Sequence, residues 1–401
     1  MSNIKLSNCV SRIKESPTLA ITAKAAKLKS EGKDIIGLAA GEPDFDTPDF
    51  IKKAAIDAIN NGLTKYTPVP GLASLRKAVI EKFNRDNNLI YKINEVIVGV
   101  GGKQCIFNLF LALLNPGDEV IIPTPYWVSY TDIVELTGAS PVLVRCGIDQ
   151  LFKMTPQQLE ESISKKTKIV VLNSPSNPTG SVYSKSELQE LSKILLKYPD
   201  IYILTDDIYE HIKLDNQPFN NIVMVEPKLK ERCIIINGVS KAYSMTGWRI
   251  GFAAGPEKII SAMSNLQSQS TSNPTSISQA AAEAALLGDQ SCIKPMLNAF
   301  KERHTFVVNA FNEIKGLKCI DAKGAFYSFP FAKDAIDTLY KNGKIKKNDD
   351  ITFSEYLLDS KGVAVVPGSA FGAENYFRIS FATSMDNLKE ALSRIKEAIE
   401  D

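Results

Sequence analysis

The sequence predicts an α/β fold with a mostly parallel sheet covered by helices. Three observations carry this: short aliphatic runs, longer helix-period stretches between them, and their regular alternation from Glu95 onward. Alternation of this kind requires right-handed crossovers, which lay helices over both faces of a parallel sheet. In chain order, Val96–Val98, Val120–Ile122, Pro141–Val144, Ile169–Leu172, Ile201–Leu204 and Ile234–Ile236 read as buried strands. Between them Gln104–Leu114, Val128–Leu136, Pro156–Ser164 and Lys185–Leu196 show helical periodicity. The last of these begins with Ser184-x-x-Glu187, in which each side chain can bond the other residue's backbone N–H.

The ends of the chain differ from its middle. Leu317–Ile320 and Phe326–Phe329 read as a meander, Tyr340–Asp350 as a solvated lysine-rich loop, and Asp386–Glu400 as a final helix. A large domain is expected over residues 50–290, and a smaller one from 1–49 together with 291–401. The helical pattern from Ser291 to Lys315 would bridge them.

Composition excludes several classes of function. The 401 residues carry 47 Lys+Arg against 45 Asp+Glu, a net charge of +2, so no basic excess suits a polyanion or a membrane surface. Cys9, Cys105, Cys146, Cys233, Cys292 and Cys319 form no CxxC pair, and His211 and His304 stand apart from them. A structural zinc site needs about four clustered ligands, so no metal is expected, and the thiols fit a reducing compartment. No apolar core of a signal peptide lies within Met1–Ala20, and no stretch approaches the ~20 apolar residues of a membrane span. A cytoplasmic location is expected.

In an open parallel sheet, ligands collect beyond the carboxyl ends of the strands. Three consecutive ends are followed by Asn173-Ser-Pro-Ser-Asn-Pro-Thr-Gly180, by Thr205-Asp-Asp-Ile-Tyr-Glu210, and by Asn237-Gly-Val-Ser-Lys241 running on to Arg249. Singly, each has an ordinary explanation. Asn-Pro-Thr-Gly is a turn, Asp206 could cap a helix, Lys241 could be solvated, and Gly99-Val-Gly-Gly102 lacks the spacing of a phosphate loop. Together they bring an amide, a carboxylate with a phenol, and two cations to one rim. That convergence describes a cofactor pocket.

These residues, in this order, resemble the fold-type I pyridoxal-phosphate enzymes, and within them the class I aspartate aminotransferase family. The likeness runs from Lys14 to the C-terminal helix. It rests on Ala40-Gly-Glu-Pro-Asp-Phe-Asp46, Lys65-Tyr66, Val100-Gly-Gly-Lys-Gln104, Pro125-Tyr-Trp-Val128, Asn177-Pro-Thr-Gly180, Asp206-Asp-Ile-Tyr209, Ser240-Lys-Ala-Tyr-Ser-Met-Thr-Gly-Trp-Arg249 and Phe377-Arg-Ile-Ser380. The pattern is most similar to the bacterial subgroup whose members use aspartate and, in some cases, prephenate. The resemblance implies a seven-stranded, mostly parallel sheet and a homodimer whose sites are composite, with Tyr66 reaching the partner's phosphate.

It also implies roles for single residues. Lys241 supplies the amine that holds pyridoxal 5'-phosphate as a Schiff base and then moves protons. Asp206 keeps the ring nitrogen protonated, Asn177 and Tyr209 bond the ring oxygen, and Trp127 stacks on the ring. Gly101, Gly102 and Lys103 open a helix whose N–H groups suit the phosphate, joined by Ser240 and Arg249. Gly238 stands where many members have a serine, so one hydroxyl contact is expected to be missing. Arg378 clamps the α-carboxylate in a fork, and Gly41 adds a backbone contact.

No arginine lies near Gln267–Gln279 to read a distal carboxylate, so Lys103 is the expected reader. Lys14 is either tied to prephenate or an exposed lysine. The expected reaction is a ping-pong cycle. L-Aspartate leaves as oxaloacetate, 2-oxoglutarate leaves as glutamate, and prephenate is a second acceptor giving arogenate. An aromatic or alanine-type aminotransferase is the nearest alternative. A non-catalytic effector module of a transcription regulator would need an added DNA-binding segment, and a nicotinamide dehydrogenase would need the missing GxGxxG.

Overall fold

The computed structural model describes residues 4–13 and 17–401, so Lys14 lies outside the described residues. Strand β1 (Ile36–Gly37) pairs in parallel with β10 (Val363–Ala364), tying the N-terminal segment to the C-terminal part. The next seven strands are β2 (Val96–Gly99), β3 (Glu119–Thr124), β4 (Ser140–Arg145), β5 (Thr167–Asn173), β6 (Tyr202–Asp206), β7 (Cys233–Gly238) and β8 (Gly251–Ala254). They form one sheet in the order β2-β8-β7-β6-β5-β3-β4. The strands run parallel except β8, which is antiparallel to both of its neighbours.

Both faces of this sheet are covered, which is why its central strands are apolar at successive positions. Val170, Leu172, Ile203 and Ile235 enter one apolar layer, and Ile169, Val171, Leu204 and Ile234 enter the other. Each is at most 2% exposed, and burying such a side chain contributes about 1.5–3 kcal/mol. The helix Lys185–Leu196 starts as its sequence implies, with Ser184 accepting from the Glu187 N–H and Glu187 accepting from the Ser184 N–H at 2.7 Å.

The six expected strands all form. Each extends further than its apolar run, and in two of them Asn173 and Asp206 are thereby last residues of strands rather than loop residues. Strand β8, the seventh strand that the resemblance implies, is absent from the apolar runs read in the sequence. Its Gly-Phe-Ala-Ala sequence holds no β-branched residue, and it exists because β2 and β7 leave a slot between them.

The expected meander is corrected by the structure. Leu317–Ile320 contributes only the isolated bridge Lys318–Phe331, and β9 (Tyr327–Ser328) instead pairs with β12 (Phe377–Ser380), which also pairs with β11 (Val366–Pro367). Strand partners distant in sequence leave no local signal. The bridging helix spans Ile293–Glu313. The lysine-rich loop ends at Asp349, whose carboxylate accepts from the Thr352 N–H at 2.7 Å and caps a further helix, Asp350–Lys361. Among the described residues, no helix is long and apolar enough to cross a membrane.

Candidate active site

A cavity of ≈ 660 Å³ opens beyond the carboxyl ends of β5, β6 and β7. Its wall includes Asn177, Asp206, Tyr209, Ser240, Lys241 and Arg249. The parallel register puts Asn173 beside Asp206, and Asn173 joins the two strand ends. Its Nδ2 donates to the Asp206 carbonyl at 2.9 Å, while its Oδ1 accepts from the Asn177 N–H at 2.9 Å.

Asp206 is 6% exposed. Its Oδ2 accepts from the Tyr130 hydroxyl at 2.6 Å and its Oδ1 from the Ile208 N–H at 3.3 Å. Burial pushes this carboxyl up to about 6, against the pull of those two bonds and of Lys241. Lys241 donates to the Gly41 carbonyl at 2.5 Å. Burial brings its amine down to about 8; Glu42 opposes the shift, and the positive fields of Arg378 and Arg249 add to it. A carboxylate and an amine are thus both moved toward neutrality, as groups that exchange protons near neutral pH require.

The segment from Lys241 turns sharply to bring Arg249 back, with Ser244 at φ 52° and Arg249 at φ 57°, both in the left-handed region. Arg249 Nη1 donates to the Thr246 carbonyl at 2.9 Å, and the guanidinium lies across the start of helix Gly102–Leu113. A Cβ on Gly101, where φ is 82°, would sit 2.3 Å from Arg249 Nη2, and one on Gly251 would sit 2.1 Å from the Gly102 nitrogen. Only bare backbone permits this approach of β8, Arg249 and the helix start. The product is a concavity of helix N–H groups and a guanidinium, suited to an anion. Gly238 is tight but less crowded: a Cβ there would lie 3.0 Å from both Gly251 Cα and the Ile250 carbonyl oxygen.

Opposite, Arg378 on β12 is 2% exposed. Its Nη1 donates to Asn177 Oδ1 at 2.9 Å and its Nη2 to the Ala39 carbonyl at 2.6 Å. Among the described residues its Nε–H has no partner, a buried donor that a carboxylate ligand would satisfy. Lys103 lies 5.0 Å from the centre of the Trp127 ring, with its pKa lowered by burial and by Arg249. Gly41, Gly102, Lys103 and Trp127 also line the cavity. Gly101 shapes it from behind, through its contact with Arg249. Tyr66 is 92% exposed and is not part of this cavity's lining.

Several groups were not foreseen. Tyr130 lies three residues after Trp127, where its N–H donates to the Trp127 carbonyl at 3.0 Å, and that spacing was the available signal. Tyr327 meets the Tyr209 hydroxyl at 2.8 Å, but it comes from a distant strand and carries no local mark. Glu42 accepts from the Thr246 hydroxyl at 2.8 Å and adds a negative charge at the cavity mouth, as Thr22 adds a hydroxyl.

Comparison with known proteins agrees with this geometry. Residues 33–395 match the family described as Aminotransferase class I and II. The chain is 59% identical to an aspartate/prephenate aminotransferase of Nitrosomonas europaea over 392 residues, 98% of this chain and 99% of that one. It is similar in structure to an aspartate aminotransferase from Rhizobium meliloti, with a TM-score of 0.96 and 49% identity over 99% of both chains. The aspartate aminotransferase from Thermus thermophilus, solved with maleate, gives a TM-score of 0.92 at 40% identity over 98% of this chain and 100% of that one. Family and fold therefore coincide with a cavity that gathers a buried carboxyl, an amine and cations: the chain belongs to the class I and II aminotransferases.

Proposed function

We propose that this chain is a pyridoxal 5'-phosphate aminotransferase that moves the amino group of L-aspartate to 2-oxoglutarate, giving oxaloacetate and L-glutamate. Prephenate is a second amino acceptor in this reading, giving arogenate. The observation that carries it is the convergence of Lys241, Asp206, Asn177, Tyr209 and Arg249 on one cavity beside a helix N-terminus.

The donor set fits the cofactor. The bare-backbone concavity beside Arg249, with Ser240 near it, would hold the phosphate. Asp206, buried and already pushed toward protonation, would favour a cationic ring nitrogen, because opposite charge is worth most where water is excluded. Asn177 and Tyr209 would bond the ring oxygen, and Trp127 would cover the ring face. When bound, the cofactor supplies an electron sink for the carbanion of the amino acid.

The chain's own residues do the rest. Arg378 binds the α-carboxylate and the backbone at Gly41 closes over it. Lys103, above Trp127, reads the distal carboxylate, in keeping with the dicarboxylate maleate in the Thermus relative. Lys14 belongs to the prephenate part of the reading. Nζ of Lys241, uncharged, takes the proton from Cα of the donor, and in the second half-reaction delivers one to the new Cα. The exposure of Tyr66 supports a homodimer in which it completes the partner's phosphate site. A large domain over 50–290 and a smaller one from 1–49 with 291–401 belong to the same proposal.

Absorbance changes of the loaded enzyme with single amino acids test the substrate. Aspartate and glutamate should convert it and tyrosine should be slower; a response to tyrosine without one to aspartate would favour the aromatic alternative. Sedimentation of that preparation as a monomer would remove the composite site.

A second test concerns Lys241 alone. With its amine near 8, capture of added pyridoxal phosphate should accelerate roughly tenfold per pH unit up to that value and level off above it. A rate still rising about tenfold per pH unit above pH 9 would contradict the depressed amine.

A further inference from the structure

The turn Asp206–His211 has two sides. Asp206, Ile208 and Tyr209 line the cavity, whereas Asp207, Glu210 and His211 do not. Asp207 and Glu210 are nonetheless 1% and 5% exposed. Asp207 is held from nearby, accepting from the Thr205 hydroxyl and from Asn221 Nδ2, each at 2.7 Å.

Glu210 is held from another part of the fold. Lys82, on helix Ala73–Asn87 and 1% exposed, forms an ion pair with Glu210 Oε1. The same ammonium donates to Asn87 Oδ1 at 2.7 Å, and Asn87 Nδ2 donates to Glu210 Oε2 at 2.9 Å. His211 Nε2 stands 3.1 Å from Glu210 and 3.4 Å from Asp86, which is itself 3.8 Å from the ammonium. Burial opposes ionisation of Glu210, but Lys82 and His211 outweigh it and hold the carboxyl well below the usual range.

Asp86, Glu210 and His211 place ligand-type atoms within 4.8 Å of one another, a grouping that would suit a divalent cation. The Lys82 ammonium already lies on Glu210, so the cation serving this cluster is a side chain. Burying several ionisable groups is a poor route to stability, because a packed apolar set of similar volume does as well or better. Location suggests a different use. Glu210 directly follows Tyr209, and the Glu210 N–H donates to the Asp207 carbonyl at 2.9 Å. The Ile212 N–H donates to the Tyr209 carbonyl at 2.8 Å, and the Ala325 N–H to the Ile212 carbonyl at 2.9 Å. Tyr327, the hydroxyl partner of Tyr209, lies two residues beyond Ala325.

We propose that Lys82 is a positioning residue: through Glu210 it fixes the turn that sets the Asp206 carboxylate and the Tyr209 hydroxyl on the cavity wall. The inference rests on the aminotransferase reading, in which those two groups face the cofactor. Lys82 touches neither cofactor nor substrate.

The test compares the wild-type holoenzyme with Lys82→Met and with Lys82→Met/Glu210→Met. The double variant removes both charges at similar volume and so protects the fold. The melting temperature should fall in the single variant and recover in the double. In both, the Glu210 and Ile212 amides should exchange at least ~10-fold faster in cofactor-free protein. The pH midpoint of the bound cofactor's visible band should move by at least ~0.5 unit, and kcat should fall roughly 10-fold with KM within ~2-fold. A double variant with wild-type exchange, titration and kcat would reduce Lys82 to a structural residue. Failure of the wild type to develop a visible band with pyridoxal phosphate would instead sink the aminotransferase reading. The exchange comparison needs no cofactor and would still decide the role of Lys82.

Discussion

Lys241→Ala should lower turnover with aspartate and 2-oxoglutarate by at least roughly 10⁴-fold, because it removes a nucleophile and a proton carrier in one change. The side chain sits among Arg378, Arg249, Asp206 and Glu42, and its amine is brought down to about 8, so an uncharged fraction is present at neutral pH. Alanine has no atom to accept the Cα proton. Lys241→Arg separates charge from chemistry: it keeps a positive group but none that gives up its proton, so it should be nearly as inactive. Steady-state rates and the visible spectrum of each variant check this. Normal turnover in either would refute the assignment of Lys241, whatever the spectrum shows.

Arg378→Ala should weaken every amino-acid substrate, by roughly 10²–10³-fold in kcat/KM, the scale expected when one partner of a buried charge pair is removed. The guanidinium spends Nη1 on Asn177 and Nη2 on Ala39, leaving Nε free, so its loss also releases Asn177. Arg378→Lys keeps the charge but cannot make these bonds and grip a carboxylate at once, and should remain well below wild type. Lys103→Ala should be selective, costing aspartate and glutamate roughly 10-fold or more while sparing monocarboxylic donors. Equal losses on both substrate classes would remove Lys103 as reader of the distal carboxylate. Melting curves separate these effects from misfolding.

Much of the site was legible because its residues follow strands that are themselves legible. Asn173, Asp206 and Lys241 come just after or at the end of apolar runs, and parallel pairing of β5, β6 and β7 makes three distant positions neighbours. Other features had no local trace. Tyr327 reaches the cavity through antiparallel pairing of β9 with β12, a partnership between short strands far apart in sequence. Lys82 carries no mark in the sequence, and its burial and its ion pair with Glu210 exist only in the fold. His211, set aside in the sequence as a lone histidine, stands beside the same carboxylate.

Periodicity and strand-end residues specify the alternating architecture and bring an amine, a carboxylate and cations to one rim, because those signals are local; the roles of those groups come from the family resemblance. The acidity of Lys241 and Asp206 is not local. It depends on burial and on Glu42, Arg378, Arg249 and Tyr130, which arrive from four separate segments. The same holds for the slot filled by β8 and for the ion pair that braces Glu210. Electrostatic fields and desolvation act through space, so the chain must close on itself before a lysine becomes a base.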